Sequence, residues 1–524
     1  MRGFVSHLPL LSLPRACLVA LLLGALNVLA FAPYAIWPIQ LITPALLLVM
    51  LMDPAKWNPK QAALIGLCYG FGQFVLGVCW LVIAMSRYGG MPWALSVIAL
   101  SALASFMALF PSLCFFLLQS LRLRWRARAS LSYVVIFPVC WACTEFLRGY
   151  LFTGFPWLAV GYAHHQSPLA GYAPIVGVYG LGAIAMLCSA CLAYIVVGLD
   201  RRTQLKALFG LVFIMFCGSG LHQMTWTKPY GQPLSVRLTQ GNIDQGIKFT
   251  SSFLEETLAM YAGLMTEQAA DLIATPETAL PLLVSELPTN YLQRLQEFSQ
   301  KTRSHLVIGV VSDDGNQRYS NSVLGIDGGV TPYRYDKHHL VPFGEYVPFG
   351  FRWFVNLMQI PLGEYSNPGV VQPAFAVKDQ RVMPNICYED LFGEEIAEQL
   401  RVQARSKEGA ATILLNVSNL AWFGDLSAIP QHLQISQMRS LETGRPMLRS
   451  TNTGATAMID ARGNVIAAMP VLSRGTLAGE IQGMQGLTPY IRFGNGLWGG
   501  IAVLALAFVW WSSRRQTVTE RNST

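Results

Sequence analysis

Hydrophobic and polar positions are distributed very unevenly along this chain. From about Cys17 to Trp226, apolar blocks follow one another with short polar joints. From about Lys228 to Tyr490, short apolar runs alternate with polar stretches, and a last apolar block precedes a polar tail. A bilayer core takes about 20 mostly apolar helical residues. On that measure seven blocks precede the polar region, near residues 17–32, 36–52, 62–84, 93–118, 131–151, 174–199 and 207–226. The block at 497–511 makes eight.

Inside the polar region the pattern changes period. Apolar, β-branched runs at 235–240, 271–275, 306–311, 322–326, 383–387, 412–417 and 456–459 predict strands. Longer amphipathic stretches at 252–269, 289–302, 394–407 and 429–443 predict helices. The last stops at Gly444, with Pro446 just beyond. Such alternation predicts an α/β layered domain around a single core. The expected division is a membrane α-bundle of seven helices over 1–226, an α/β domain over 227–490, and a C-terminal transmembrane helix with its tail over 491–524.

Composition and charge sharpen this picture. Hydrophobic residues make up 53% of the 524 and charged residues only 13%, against roughly 25% charged in ordinary soluble domains. If the N-terminus with Arg2 and Arg15 is cytoplasmic, the same side receives Lys56, Lys60, Arg122, Arg124, Arg126, Arg128, Arg201, Arg202, Lys206, Arg514, Arg515 and Arg521. The short loops of the other side hold Arg87 and Arg148. The positive-inside rule then exports the α/β domain. It also accounts for part of the +8 net charge without nucleic acid. The first block, ending Ala30-Phe31-Ala32, has the look of a signal peptide, but another apolar block follows almost at once, so a retained helix is expected.

Nine of ten cysteines fall in the apolar blocks, including the pairs Cys140/Cys143 and Cys188/Cys191, where they read as small packing hydrophobes. Cys387 stands alone in the exported region. A lone thiol in an oxidising compartment is a liability unless its reactivity is used. A thiol of ordinary pKa, about 8.5, is little ionised at neutral pH and needs a base and a cation to attack a carbonyl. The segments TPETALP, YDKHHLVPFGEYVP and NICYEDLFGEE offer Glu277 immediately after a predicted strand, Lys337 and Glu345 in the loop region after a strand, and Cys387 at a strand end with Glu389 and Asp390 close behind. Taken singly, Glu277 reads more often as a solvated carboxylate or helix cap, Lys337 more often still as surface, and Glu345 equally as an exposed charge. His338 and His339 are adjacent in an extended segment and should point to opposite faces, so no metal site is expected. Residues 342–368, rich in Phe, Trp, Tyr and Leu, read either as core filling or as a lid dipping into the membrane interface.

Those three segments together resemble the Glu–Lys–Cys signature of the nitrilase (carbon–nitrogen hydrolase) superfamily. With LTQGNIDQ, TEFLRGYLFTGFPW, NLAWFGD, LETGRPMLRSTNTGATAMID and the eight-block layout, the chain resembles the membrane-bound apolipoprotein N-acyltransferase family along nearly its whole length. One departure is Leu420, where that family usually has Asp. The resemblance implies eight transmembrane helices carrying a four-layer αββα nitrilase-like sandwich. It implies Glu277 as general base, Lys337 as oxyanion stabiliser and Cys387 as nucleophile, with Glu345, Tyr388 and Glu389 in support. Phe349, Trp353, Trp422 and Phe423 would admit the acyl chain. Glu145 and Arg148 would either pair with each other or meet a phospholipid headgroup. The implied reaction passes an acyl chain from a phospholipid, such as phosphatidylethanolamine, through a Cys387 thioester to a diacylated apolipoprotein. No metal, coenzyme or nucleic acid is expected, and the enzyme would be a monomer in a bacterial inner membrane with its catalytic domain in the periplasm. A membrane-tethered amidohydrolase and a transporter with a sensor domain are the competing readings.

Overall fold

The computed structural model describes residues 11–52, 56–198, 200–313, 319–329, 332–347, 350, 352, 365–366 and 368–522. The chain divides into two compact units. One comprises Met1–Val82, Trp93–Met224 and Phe493–Thr524; the other comprises Ile83–Pro92 and Thr225–Arg492.

The first unit is helical. Among the described residues, six of its helices are long and apolar enough to cross a membrane: Leu13–Ala30, Trp93–Trp125, Ala129–Arg148, Ala170–Val197, Arg201–His222 and Gly496–Arg515. A seventh arises if Pro59–Gly77 and Leu81–Tyr88 form one broken span. Two expected blocks therefore behave differently. The one at 36–52 forms the shorter helix Trp37–Leu51, and the one at 62–84 breaks after Gly77. The helix Pro59–Gly77 starts where the sequence says it should, with Asn58 and Gln61 in a reciprocal capping box and Pro59 in the first turn. Its Gly72 lies so near the first helix that a Cβ would stand 2.1 Å from the Leu21 carbonyl oxygen. Small residues allow this close helix approach where hydrophobic burial offers little drive.

The second unit is built on two six-stranded sheets. Its strands are β1 (Leu234–Gln240), β2 (Leu272–Ala274), β3 (His305–Asp313), β4 (Tyr319–Ile326), β5 (Tyr333–Asp336), β6 (Phe375–Val377), β7 (Gln380–Ile386), β8 (Ile413–Ser418), β9 (Met447–Thr451), β10 (Ala457–Ile459), β11 (Val465–Ala468) and β12 (Gly475–Ile481). One sheet has the order β12-β1-β2-β3-β4-β5, the other β11-β10-β9-β8-β7-β6. Strands β1, β2 and β3 run parallel, as do β7, β8 and β9, and the remaining pairings within the sheets are antiparallel. Among the described residues, four helices of more than ten residues accompany them: α1 (Ser251–Thr266), α2 (Tyr291–Thr302), α3 (Gly393–Gln403) and α4 (Ala428–Thr443).

The period-2 alternation of a strand explains why the central strands read as unbroken apolar runs. In β8, Ile413, Leu415 and Val417 enter one core, which Val236, Leu238, Val307 and Val323 of the other sheet share. Leu414 points the opposite way, into a second core with Met383 and with Ile396 and Leu400 of α3. In β3, Val307 joins the shared core, while Leu306, Ile308 and Val310 pack with Leu258 and Tyr261 of α1 and Leu295 of α2. Both faces are buried, so both are mainly apolar.

The predicted strands all recur with ends shifted by a few residues, and the four predicted helices recur as α1 to α4. The chain behind Gly444 turns as expected: that residue has φ +61°, and its N–H bonds the Ser440 carbonyl. Strands β5, β6, β9, β11 and β12 were not legible. Four of them are peripheral and mostly polar, short or partly exposed. The fifth, β9, is central, but its buried Arg449 hides it from a hydrophobic count.

Candidate active site

Three strand ends converge here, consistent with the habit of layered α/β folds to place ligands beyond the carboxyl ends of parallel strands. Glu277 lies in the loop after β2. That loop is clamped onto β3, where Gly309 donates to Thr275 Oγ1 at 3.0 Å and accepts from the Leu280 N–H at 3.2 Å. Lys337 follows β5 directly, and Cys387 follows β7 as the first residue of the tight turn Cys387–Leu391. Its φ is +51°, a left-handed conformation that non-glycine residues adopt at a cost of about 1–3 kcal/mol. The turn thus presents the thiol at the strand end instead of continuing the sheet.

The Lys337 ammonium sits between two carboxylates, 2.8 Å from Glu345 Oε1 and 3.3 Å from Glu277 Oε1. Asn321 of β4 donates to those same two oxygens, at 2.9 and 2.8 Å. The other oxygens are also held: Glu277 Oε2 accepts from the Asn419 N–H at 2.9 Å, and Glu345 Oε2 from the Val341 N–H at 2.9 Å. Burial by itself would lower the Lys337 pKa, but Glu345 and Glu277 outweigh it and hold the ammonium well above its ordinary range.

Cys387 is electrostatically coupled to Glu277, Lys337 and Glu345. Burial is the largest influence and pushes its thiol up; Glu277 adds to this and Lys337 opposes it. The net shift is upward. Lysine therefore favours thiolate as expected of an adjacent cation, but enclosure and the carboxylates win, and the resting sulfur is a neutral thiol.

Glu389 is fully enclosed and ties two of the converging segments together. It accepts from Ile386 N–H at 2.6 Å, His338 N–H at 2.7 Å, His339 N–H at 3.2 Å and Tyr335 Oη at 2.9 Å. The residue after Lys337 is thereby fastened to the residue before Cys387. Burial would raise its pKa, but the His338 imidazolium and these donors hold it low. Tyr388 is buried against the rings of His339 and Phe392. The two histidines do not diverge as an extended segment implies. Both reach the Glu395 carboxylate, His338 through Nε2 at 3.1 Å and His339 through Nδ1 at 2.9 Å, because the chain leaves β5 in a non-extended path.

Of the acyl-chain candidates, Trp422 and Phe423 fall within the described residues. Phe349 and Trp353 lie outside the described residues. Trp422 is exposed, with its ring edge-on to Tyr88, whereas Phe423 packs on Leu420, Ile429 and Ala455, a cluster that Cys387 also touches. Leu420 is thus a buried wall near the sulfur rather than a charged neighbour. Glu145 and Arg148 belong to the helical unit, 3.8 Å apart. There Arg148 Nη1 donates to the carbonyls of Phe155 and Trp157, and Glu145 accepts from the Val160 N–H. Such satisfaction by protein groups fits the structural pairing of these two charges.

Sequence reasoning missed Lys248, Asn321, Asn419 and His432. Three of them are uncharged or polar residues embedded in strands, loops or helices that spacing cannot connect to Cys387. Lys248 stands three residues beyond the LTQGNIDQ segment that supports the resemblance, outside every motif quoted for it.

Two facing sheets with a carboxylate–lysine–cysteine cluster at their strand ends define a nitrilase-superfamily domain, here in one chain with apolar helices. A carbon–nitrogen hydrolase family model matches residues 235–490, and one for the apolipoprotein N-acyltransferase N-terminal domain matches residues 23–191. A Ralstonia nicotianae protein named apolipoprotein N-acyltransferase is 45% identical over 506 residues, covering 95% of this chain and 94% of its own. The Nitrosomonas europaea protein of that name is 42% identical, covering 96% and 99%, and the Vibrio cholerae protein 36%, covering 95% and 97%. Among solved structures, the C. elegans NitFhit protein is similar over 48% of this chain and 61% of that chain, at 17% identity and a TM-score of 0.38. The chain belongs to the apolipoprotein N-acyltransferase family.

Proposed function

We propose that this enzyme moves a fatty acyl chain from a phospholipid to the N-terminal amino group of a diacylglyceryl-cysteine apolipoprotein, by a ping-pong route through a thioester on Cys387. The observation that carries this reading is Lys337 held between Glu277 and Glu345 beside a cysteine in a left-handed turn.

In the first half-reaction the neutral thiol gives its proton to Glu277 as sulfur attacks the ester carbonyl. An ammonium has three N–H donors. Two of those on Lys337 go to the carboxylates, which leaves one for the developing oxyanion. Such a preorganised donor is worth about 10²–10³ in rate. The carbon–oxygen ester bond breaks, Glu277 returns the proton to the departing glyceryl oxygen, and lysophospholipid leaves. In the second half-reaction the neutral amine attacks the thioester, Glu277 takes a proton from its nitrogen, and Cys387 departs and is reprotonated. Glu345 and Glu389 position Lys337 and the Cys387 turn.

The same reading includes eight membrane crossings in a bacterial inner membrane, counting Trp37–Leu51 and the broken Pro59–Tyr88 segment as two. It places the domain of residues 227–490, layered αββα, in the periplasm as a monomer, with phosphatidylethanolamine as donor. The basic residues of alternate loops support this orientation. Incubating purified enzyme with phosphatidylethanolamine and measuring intact mass tests the core of the proposal. A fatty-acyl increment, removed by neutral hydroxylamine and absent in Cys387→Ala, is the expected result. Free fatty acid without any adduct would replace transfer by hydrolysis.

A further inference from the structure

The ammonium of Lys248 is a buried cation that the steps above leave unused. The residue is 2% exposed, in the loop between β1 and α1. Its Nζ lies 3.3 Å from the main-chain carbonyl oxygen of Glu277. Among the described residues this carbonyl is its one hydrogen-bond acceptor, and no carboxylate oxygen lies within ion-pair distance. The Phe249 ring, 5.9 Å away, adds a weak cation–π contact. A buried ammonium normally finds acceptors for its three donors, because leaving them unmade costs free energy. Lys337, bonded to the Glu277 side chain, shows what satisfaction looks like here: two carboxylates at 2.8 and 3.3 Å. Among the described residues Lys248 has two donors to spare, in the electrostatic field of both Glu277 and Cys387.

The chemistry has a matching vacancy. When the thiol attacks an ester, the tetrahedral centre carries two oxygens, the former carbonyl oxygen and the glyceryl oxygen. Lys337 has one donor left and serves the first. The glyceryl oxygen departs with developing negative charge and must be met by the proton that Glu277 carries. A cation tethered to the main chain of Glu277 acts in the field of that carboxylate and of the attacking sulfur.

We propose that Lys248 is a second catalytic cation, donating a hydrogen bond to the departing glyceryl oxygen of the phospholipid. The inference rests on the thioester reading above. The sulfur–carbon bond forms and the carbon–oxygen bond breaks; the thiol proton passes through Glu277 to the lysophospholipid hydroxyl, and Lys248 keeps its own protons throughout. Charge also balances, since Lys248 and Lys337 offset Glu277 and Glu345. Burial lowers the Lys248 pKa to about 8, with Glu277 and Cys387 opposing the fall, so its donors are strongly acidic for a lysine.

The test varies the leaving group. Thioester formation by the full-length enzyme in mixed micelles is timed by quenched intact mass, with phosphatidylethanolamine and with p-nitrophenyl palmitate as donors. A p-nitrophenolate leaves readily without a donor, whereas a glyceryl alkoxide does not. Lys248→Met should slow acylation from the phospholipid about a hundredfold, on the scale of one lost charge-stabilising donor. From the p-nitrophenyl ester it should slow by no more than about threefold. Lys248→Arg should recover part of the phospholipid rate. If the Met variant does not fold, Lys248→Gln, which lacks the charge, is read against the same donor pair. Equal slowing with both donors would make Lys248 a structural cation and overturn the proposal, as would no slowing with either. Wild-type enzyme that forms no adduct with phospholipid would overturn the thioester reading itself, and this inference with it.

Discussion

His432 Nε2 lies 3.2 Å from the main-chain carbonyl oxygen of Cys387. Arg449 Nη2 is 2.8 Å from the other ring nitrogen, and a guanidinium can only donate, so Nδ1 accepts and Nε2–H donates to Cys387. Arg449 is itself anchored by Asp390 at 3.2 Å. A chain of buried polar groups therefore braces the nucleophile's strained backbone from below. Burial and Arg449 push the imidazole pKa well below its ordinary value, so it remains neutral.

Removing that brace should loosen the Cys387 turn. His432→Ala is expected to slow thioester formation about tenfold to a hundredfold, the rate equivalent of about 1.4–2.8 kcal/mol, with little change in phospholipid KM. His432→Gln, whose amide can still donate, should recover part of the loss. A rate unchanged in the alanine variant would remove His432 from the account.

Gly309 has a separate role, in the loop that carries Glu277. A Cβ there would stand 2.1 Å from the Pro276 carbonyl oxygen and 2.8 Å from the Thr278 nitrogen, both main-chain atoms that cannot swing aside. Gly309→Ala should therefore displace Glu277, cut acylation at least about tenfold and lower Tm. Wild-type kinetics in this variant would show that the loop tolerates movement.

Glu345→Gln tests the second carboxylate. Lys337 would keep Glu277 alone as a charged partner, and a charge-assisted hydrogen bond of about 1.5–3 kcal/mol would be weakened. Acylation should fall about tenfold or more, with Glu345→Ala worse because it leaves Lys337 and Asn321 each short of an acceptor. Single-turnover mass measurements give the rates. Equal activity in both variants would contradict the positioning role.

The His338 pair predicts a pH signature. Burial lowers the imidazole pKa, but Glu389 and Glu395 outweigh burial and raise it to about 10. A folded pKa above the unfolded value of about 6.5 stabilises the fold fully below that value, and the contribution is lost as pH rises through about 10. Glu395, held down to about 2 against burial by the hydrogen bonds and charges of His338 and His339, contributes in the opposite window, above its unfolded value and lost as pH falls through about 2. The Tm gap between wild type and His338→Gln should therefore be largest near pH 6 and shrink toward pH 10. A gap that widens with pH would reverse the assignment.

Much of this architecture was legible in the chain itself. Helix-length apolar blocks report membrane-compatible segments because each helix satisfies its own backbone. Central strands such as Ile413–Ser418 report themselves because burial on both faces leaves no room for polar alternation. Cys387 drew notice as the cysteine outside the apolar blocks, and its neighbouring motifs carried the likeness to the nitrilase superfamily. Less was legible where one segment depends on another. Edge strands such as Val465–Ala468 are recruited by neighbours, and nothing in their own pattern requires pairing. Arg449 looks out of place in a strand until Asp390 meets it from 59 residues away.

The sequence by itself determined which segments become helices or buried strands and which side chains could carry acid, base and nucleophile, because those properties are local. Only the tertiary structure decided that Glu277, Lys337, Glu345 and Cys387 share one enclosure. Burial and mutual charge then set the protonation of Cys387 and Lys337, leaving a neutral thiol beside a fixed ammonium. It also decided that Asn321, His432 and Lys248 belong with them, since hydrogen bonds and Coulomb fields depend on distance in space and not on separation along the chain.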